Sequence, residues 1–224
     1  MGGLGRLIIA LRTLRALKVL VLVFGFGIFV FYMLFLHRPS WWVEGGDSSP
    51  AASALGLGVE QAVVREFTLV REQGDWGFVL GTEDVNAWIV NRFEDWAASR
   101  DELSLPDGVS RPRIRFGDGW IEVGLLTHQL GVGIMSTVRF EARVMGRDIE
   151  LKPIDAHFGP FDMTREGLAY LADYSVLDDR IEYDLSGVLS IPAVIQLVDG
   201  RRVLIEDLEI VDGEIAIRCQ TVGP

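Results

Sequence analysis

The chain has 224 residues, which is enough for one folded domain with additional segments. Its 32 acidic residues outnumber its 21 lysines and arginines, and the resulting net charge of −11 argues against a nucleic-acid partner. The single cysteine, Cys219, excludes an intrachain disulfide and a CxxC metal site. A domain without disulfides has to be stabilised by its apolar core.

An uncharged apolar segment of 18 residues lies at 19–36, long enough to cross most of a hydrocarbon core of roughly 30 Å. We predict a transmembrane helix there. Residues 1–18 hold four basic residues and no acid, so the positive-inside rule places them in the cytoplasm and the rest of the chain in the periplasm or outside. A cleaved signal peptide is the alternative, but the run is long for one, and "HRPS" follows it instead of a small-residue cleavage site.

Residues 37–58 are rich in Gly, Ser, Ala and Pro and lack apolar periodicity, which is typical of a flexible linker. Trp41 and Trp42 suit the membrane–water interface at its start. The remainder, 59–224, is the predicted exported domain. Beyond residue 36, 17 bases face all 32 acids, and this net charge of −15 for the exported part argues against adsorption of its surface on an anionic bilayer.

Two helices are predicted in this domain, after a strand, or a helical turn leading into a strand, at 62–71. Apolar residues recur at spacings of three and four from Glu83 to Ala98, which indicates an amphipathic helix with both tryptophans against a sheet. Thr82 is placed to cap its first turn. The second helix begins at Thr164.

From residue 111 onward the apolar period changes to two, which predicts strands. Turn dipeptides at Asp118-Gly119, Asp199-Gly200 and Asp212-Gly213 join them as hairpins. We therefore predict an α+β fold in which an antiparallel sheet of about seven strands packs on two helices. The glycine-rich stretch 124–137 is either a mobile lip or a wide loop or bulge.

Catalytic motifs are missing from the sequence. Adjacent acids such as Glu83 and Asp84 point in different directions on a helix. His128 and His157 have no HExxH or HxH context, and there is no GxSxG, while Cys219 falls within an alternating strand as a buried thiol. We predict a protein that is not an enzyme and has no metal or cofactor.

Large apolar residues remain as candidates for a ligand site. They either line a groove for an acyl chain or fill a closed core. The groove candidates are Trp88, Phe93, Trp96, Phe116, Phe140, Leu168 and Leu171. Thr82 and Asn86 are predicted structural polar residues, and the Asn86 carboxamide is placed to bond the backbone of a neighbouring strand or loop.

The motif Thr82-Glu83-x-x-Asn86 opens the first helix, and hairpins, a short helix and a terminal meander follow it. Over residues 60–218 this order resembles bacterial membrane-anchored exported proteins with a TULIP-like (tubular lipid-binding, bactericidal-permeability-increasing-protein-like) half-domain. The resemblance implies a curved sheet wrapped around a helix, with an apolar groove for lipid. The chain departs from that pattern in lacking a second half, which puts a closed lipid tunnel in doubt.

Together these features predict a single-pass protein of the cytoplasmic (inner) membrane that contacts the membrane through 19–36. Its exported domain is expected to bind or help transport a lipid or other apolar ligand. The alternative is a non-catalytic scaffold or assembly subunit that holds a membrane-protein partner.

Overall fold

The computed structural model describes residues 18, 20–34, 36, 38–42, 49–69, 74–98, 112–129, 132–163, 182–183 and 188–222. The fold class is α+β, as predicted. Helix α1 is described at 20–34, followed by α2 (Pro50–Thr68) and α3 (Thr82–Ala98). The strands are β1 (Gly74–Gly81), β2 (Arg113–Gly117), β3 (Trp120–Gln129), β4 (Val132–Met145), β5 (Asp148–Phe158), β6 (Phe161–Asp162), β7 (Glu182–Tyr183), β8 (Leu189–Pro192), β9 (Val194–Gln196), β10 (Arg202–Val211) and β11 (Glu214–Val222).

The described strands form two antiparallel sheets instead of the single sheet predicted. The smaller has the order β1-β11-β10-β9 and the larger has the order β2-β3-β4-β5-β8-β7, with β6 paired to β5. The predicted hairpins at Gly119, Gly200 and Gly213 are confirmed, and each of these glycines has a positive φ. Turn residues show which consecutive strands pair as a hairpin, but they do not show which hairpins join the same sheet. The number of sheets was therefore predicted wrongly.

The described residues of the glycine-rich stretch, 124–129 and 132–137, belong to β3 and β4 and extend the larger sheet. β3 and β4 stay paired as far as Gln129 and Val132. Its glycines allow close approach of other groups, as described below for Gly124. The predicted second helix from Thr164 lies outside the described residues.

Helix α1 carries its apolar side chains on all sides. The large apolar residues from Leu20 to Leu34 are between 39% and 71% exposed. None of the helices in the described part of the chain combines the length and the apolarity needed to cross a bilayer. Positions 19 and 35 of the predicted 19–36 span lie outside the described residues, as do residues 1–17.

Helix α2 takes the place of part of the predicted linker and covers 62–68 of the segment 62–71, where a strand, or a helical turn leading into a strand, was predicted. Ser49 caps it, with its Oγ accepting from the Ala52 N–H at 3.2 Å, and Pro50 occupies the first turn, where its missing N–H costs nothing. Phe67 near the other end packs on Trp76 and Phe78 of β1, at centroid distances of 5.5 and 5.9 Å. Residues 50–58 have no apolar periodicity of their own. Their alanines nevertheless favour a helix, and packing of α2 against the rest of the domain stabilises it.

The core lies between the two sheets. Phe116 and Ala142 of the larger sheet are buried against Ile210 and Ile215 of the smaller sheet. Partly buried residues from both sheets and from α3 surround this cluster: Leu80, Val85, Ile114, Ile121, Leu151, Leu208 and Ile217. Helix α3, both sheets and the turn at Gly213 thus meet at one end of β2.

Candidate functional site

Two side chains from the start of α3, Thr82 and Asn86, join this helix to β2. The Asn86 carboxamide bonds the backbone of Ile114 in both directions: its Oδ1 accepts from the N–H at 2.9 Å and its Nδ2 donates to the carbonyl at 2.6 Å. Thr82 Oγ1 accepts from the Phe116 N–H at 3.2 Å. Since β2 is an edge strand, these side chains take the place of a neighbouring strand.

The spacing of the two residues explains why a helix can satisfy a strand edge. Residues four apart on a helix are about 6 Å apart along its axis, close to the roughly 6.6 Å between strand residues two apart. The sequence predicts that Thr82 caps its own helix, but its hydroxyl bonds β2 instead. The Thr-Glu-x-x-Asn motif is therefore an element that holds the helix on the sheet.

The groove candidates on α3 form an aromatic trio of Trp88, Phe93 and Trp96, with ring centroids 5.8, 5.9 and 6.2 Å apart. The sequence places both tryptophans against the sheet, whereas the structure places Trp88 beside Gly56 of α2 and leaves Trp96 36% exposed. The buried residues of α3 are others: Ala87, Ile89, Val90 and Ala97. Helix α2, which was not predicted, packs against α3 at Ala87 and Trp88 and accounts for this difference.

The remaining groove candidates lie elsewhere. Phe116 is in the core cluster and Phe140 is buried on β4. Leu168 and Leu171 lie outside the described residues. The described candidates are therefore divided between the aromatic trio and the apolar face of the larger sheet.

That face carries an apolar strip that sequence reasoning missed in part. We define the apolar strip as Ile121, Val123 and Leu125 of β3 with Val138 and Phe140 of β4. Directly paired residues of antiparallel strands share a face, and the register pairs Ile121 with Phe140 and Val123 with Val138. Four of the five residues are half-buried, and the strip spans roughly 13 Å along the strands.

The apolar strip continues at both ends. Phe116 pairs with Ile121 and leads into the core. At the other end Leu125 pairs with Ser136, which pairs with Phe158 of β5. Phe158 in turn pairs with Phe161, whose ring centroid lies 5.9 Å from that of Phe31 on α1. A path that is apolar apart from Ser136 therefore runs from the exposed helix to the core along one face of the sheet.

Comparisons with known proteins identify no relative. No family model, no curated protein and no solved structure matches the chain.

The opposite face of the larger sheet carries a buried carboxylate, Glu122, which is 5% exposed. Its oxygens contact Nη2 of Arg115 at 2.7 Å and Nη2 of Arg139 at 3.4 Å. Both guanidiniums also lie over the Trp120 ring, at 4.9 and 4.4 Å from its centroid. Asp155 of β5 lies 3.5 Å from Nη1 of Arg139, so two carboxylates compensate the two guanidiniums and the group links β2, β3, β4 and β5.

Trp41 and Trp42 pack against that same face. They contact β3 and β4 at Leu126 and Met135, and Trp42 is only 8% exposed. Gly124 leaves room for them, since a Cβ there would lie 2.7 Å from the Trp41 ring. The glycine within a strand was the signal in the sequence that could have indicated this close approach.

The polar residues considered for catalysis lie apart. Within the described ranges, no group of three or more His, Cys, Asp and Glu side chains is arranged to hold a metal ion. His157 contacts Asp155 at 3.0 Å, and Asp207 pairs with Arg218 at 2.9 Å. Cys219 is buried in the smaller sheet, as its alternating strand predicted.

Helices α2 and α3 are linked by an ion pair between Glu60 and Arg92, with Arg92 Nε 2.7 Å from a carboxylate oxygen. The hydrogen bond from Arg92 holds the pKa of Glu60 below the usual range of a glutamate. The pair therefore stabilises the fold above that range, and its contribution is lost as the pH falls through the lowered pKa.

We expect Glu60→Gln to lower the melting temperature of the full chain in detergent at pH 7, and to have little effect below the lowered pKa. Asp95→Asn is the control, because Asp95 pairs with the same Arg92 from within its own helix, at 3.4 Å, and does not link two helices through that pair. A Glu60→Gln effect that is equal at both pH values would contradict this assignment.

Proposed function

We propose that this is a single-pass protein of a bacterial cytoplasmic membrane whose exported domain binds a lipid or other apolar ligand. In this proposal α1 belongs to a membrane anchor that spans 19–36 with its N-terminus inside. The helix supports the proposal through its composition, since its large apolar side chains are exposed on every side and would be stabilised by hydrocarbon.

The apolar path, which Ser136 interrupts, carries the ligand part of the proposal. It begins at Phe31 of α1, passes Phe161 and Phe158, follows the apolar strip and ends at Phe116. An acyl chain that leaves the bilayer beside α1 would meet apolar side chains along this path. Burial of such a chain is favourable by about 25 cal/mol per Å² of apolar surface removed from water.

Site-specific photo-crosslinking in native membranes tests the ligand site. The photoreactive residue p-benzoyl-phenylalanine is placed at Val138, in the middle of the strip, and separately at Val79. Val79 is a matched control because it is also a strand valine but is 57% exposed on β1. We expect lipid adducts, identified by mass spectrometry after proteolysis, at position 138 and not at position 79.

Adducts of equal yield at both positions, or at neither, would count against a lipid site on the strip. Melting curves of both variants verify that the fold is intact. Adducts at 138 that contain a protein and no lipid would instead favour the scaffold function, because they would place a membrane-protein partner on this face.

A further inference from the structure

The connection between α1 and the domain is short and held at both ends. The Leu36 N–H donates to the Tyr32 carbonyl at 3.2 Å, which continues the helical turn, and the Trp42 N–H donates to the Pro39 carbonyl at 2.9 Å. Trp42 is then packed on β3 and β4. From residue 36 to residue 42 the chain can span at most about 20 Å, even if extended. The domain is therefore held close to the end of α1.

The turn between β5 and β6 lies beside α1 at the same end of the sheet. Its sequence is Phe158-Gly159-Pro160-Phe161, and Phe161 is 42% exposed while contacting Phe31. The Gly159 N–H donates to the Met135 carbonyl at 2.6 Å, which ties the turn to β4. Phe31 is three residues before the end of the described helix, so Phe161 lies level with the last turn of α1 and not beyond it.

We propose that this turn is a bilayer-contacting surface, with Phe161 inserted below the headgroups. The inference rests on the proposed function, because the depth of Phe161 follows from α1 lying in the membrane. The surface contacts the lipid bilayer. Phe161 is exposed and lies against α1, whose apolar side chains face outward on every side, so both are expected to be surrounded by hydrocarbon.

This surface changes the predicted arrangement of the domain. A flexible linker over 37–58 would let the domain move away from the membrane, whereas the packed tryptophans hold it against the bilayer. The end of the apolar path at Phe158 and Phe161 then opens directly into the lipid, so a ligand would reach the strip without crossing water.

Depth-dependent fluorescence quenching of the full chain in phosphatidylcholine nanodiscs tests the surface. Phe161→Cys is labelled with a polarity-sensitive fluorophore, and doxyl groups on the lipid acyl chains serve as quenchers. Met145→Cys is the matched control, since Met145 is 56% exposed at the opposite end of β4, and Val23→Cys reports on α1 itself. The native Cys219 is 0% exposed, and the unmodified chain measures any background labelling.

We expect a blue-shifted emission and loss of most of the signal for labels at 161 and 23, and neither effect at 145. Quenching at 23 without quenching at 161 would overturn the bilayer-contacting surface and leave the membrane anchor intact. Quenching at neither position would overturn the anchor, and with it both proposals. Equal quenching at 145 and 161 would also overturn the surface, because it would show no preferred end.

Discussion

Asn86→Ala is expected to lower the free energy of unfolding by about 2–4 kcal/mol, because it leaves the N–H and the carbonyl of Ile114 without their partners. The substitution also removes the hydrogen bond from Asn86 Nδ2 to the Thr82 carbonyl, at 2.8 Å. Alanine has a better helix propensity than asparagine, so local helix stability opposes the loss and cannot cause it. Denaturant unfolding of the full chain in detergent measures the change.

Asn91→Ala is the matched control. Asn91 lies in the same helix, is also half-buried, and donates to the Ala87 carbonyl of its own helix at 2.9 Å. We expect a change of at most about 1 kcal/mol there, since no strand group is left unpaired. Asn86→Asp retains the acceptor for the Ile114 N–H but turns a carboxylate oxygen towards the two carbonyls that Nδ2 had bonded, so it should not restore the stability lost in Asn86→Ala. Equal effects of the two alanine substitutions would show that Asn86 does not hold α3 on β2.

Gly56→Ala is expected to destabilise the domain by about 1–3 kcal/mol, even though alanine is the better helix former. A Cβ at this position would lie 2.7 Å from the Ala87 carbonyl oxygen and 3.3 Å from the Trp88 Cα. These are backbone atoms, so α2 and α3 would have to move apart. The separation would also stretch the ion pair between Glu60 and Arg92.

Gly58→Ala separates helix propensity from packing. It lies one half-turn away on the same helix, is exposed, and has no atom within 4 Å of an added Cβ. Removing backbone freedom should therefore raise the stability by about 0.5–1 kcal/mol. Opposite signs for the two glycines would establish the close crossing of α2 and α3, and a stabilising Gly56→Ala would refute it.

The elements that were predicted correctly are those with local signals. Helix α3 has its apolar spacing, and the hairpins at Gly119, Gly200 and Gly213 have both alternation and a turn residue that accepts positive φ. Helix α2 was missed because its small residues resemble a linker, and its packing depends on a partner 31 residues further along the chain, from Gly56 to Ala87.

The candidate site was predicted only in part. Phe116 and Phe140 were expected to contact a ligand, and the structure places them on or next to the apolar strip. Val123, Leu125 and Val138 are not among the groove candidates predicted from sequence. Alternation places half of the residues of a strand on each face, but it does not show which face meets a ligand, and large aromatic residues were preferred. Trp88 and Trp96 were assigned to the same groove, because the apolar periodicity of a helix does not show which other element packs against each of its sides.

The sequence by itself determined the uncharged apolar segment at 19–36, the acidic charge of the domain, the strand-turn pattern and the special position of Asn86, because each depends on residues close together in the chain. Only the tertiary structure decided that the hairpins divide into two sheets, that Asn86 bonds an edge strand, and that Phe31, Phe161 and Phe116 lie on one apolar path. These contacts join residues that are distant in sequence, and their free energy depends on surfaces that exist only after the chain has packed.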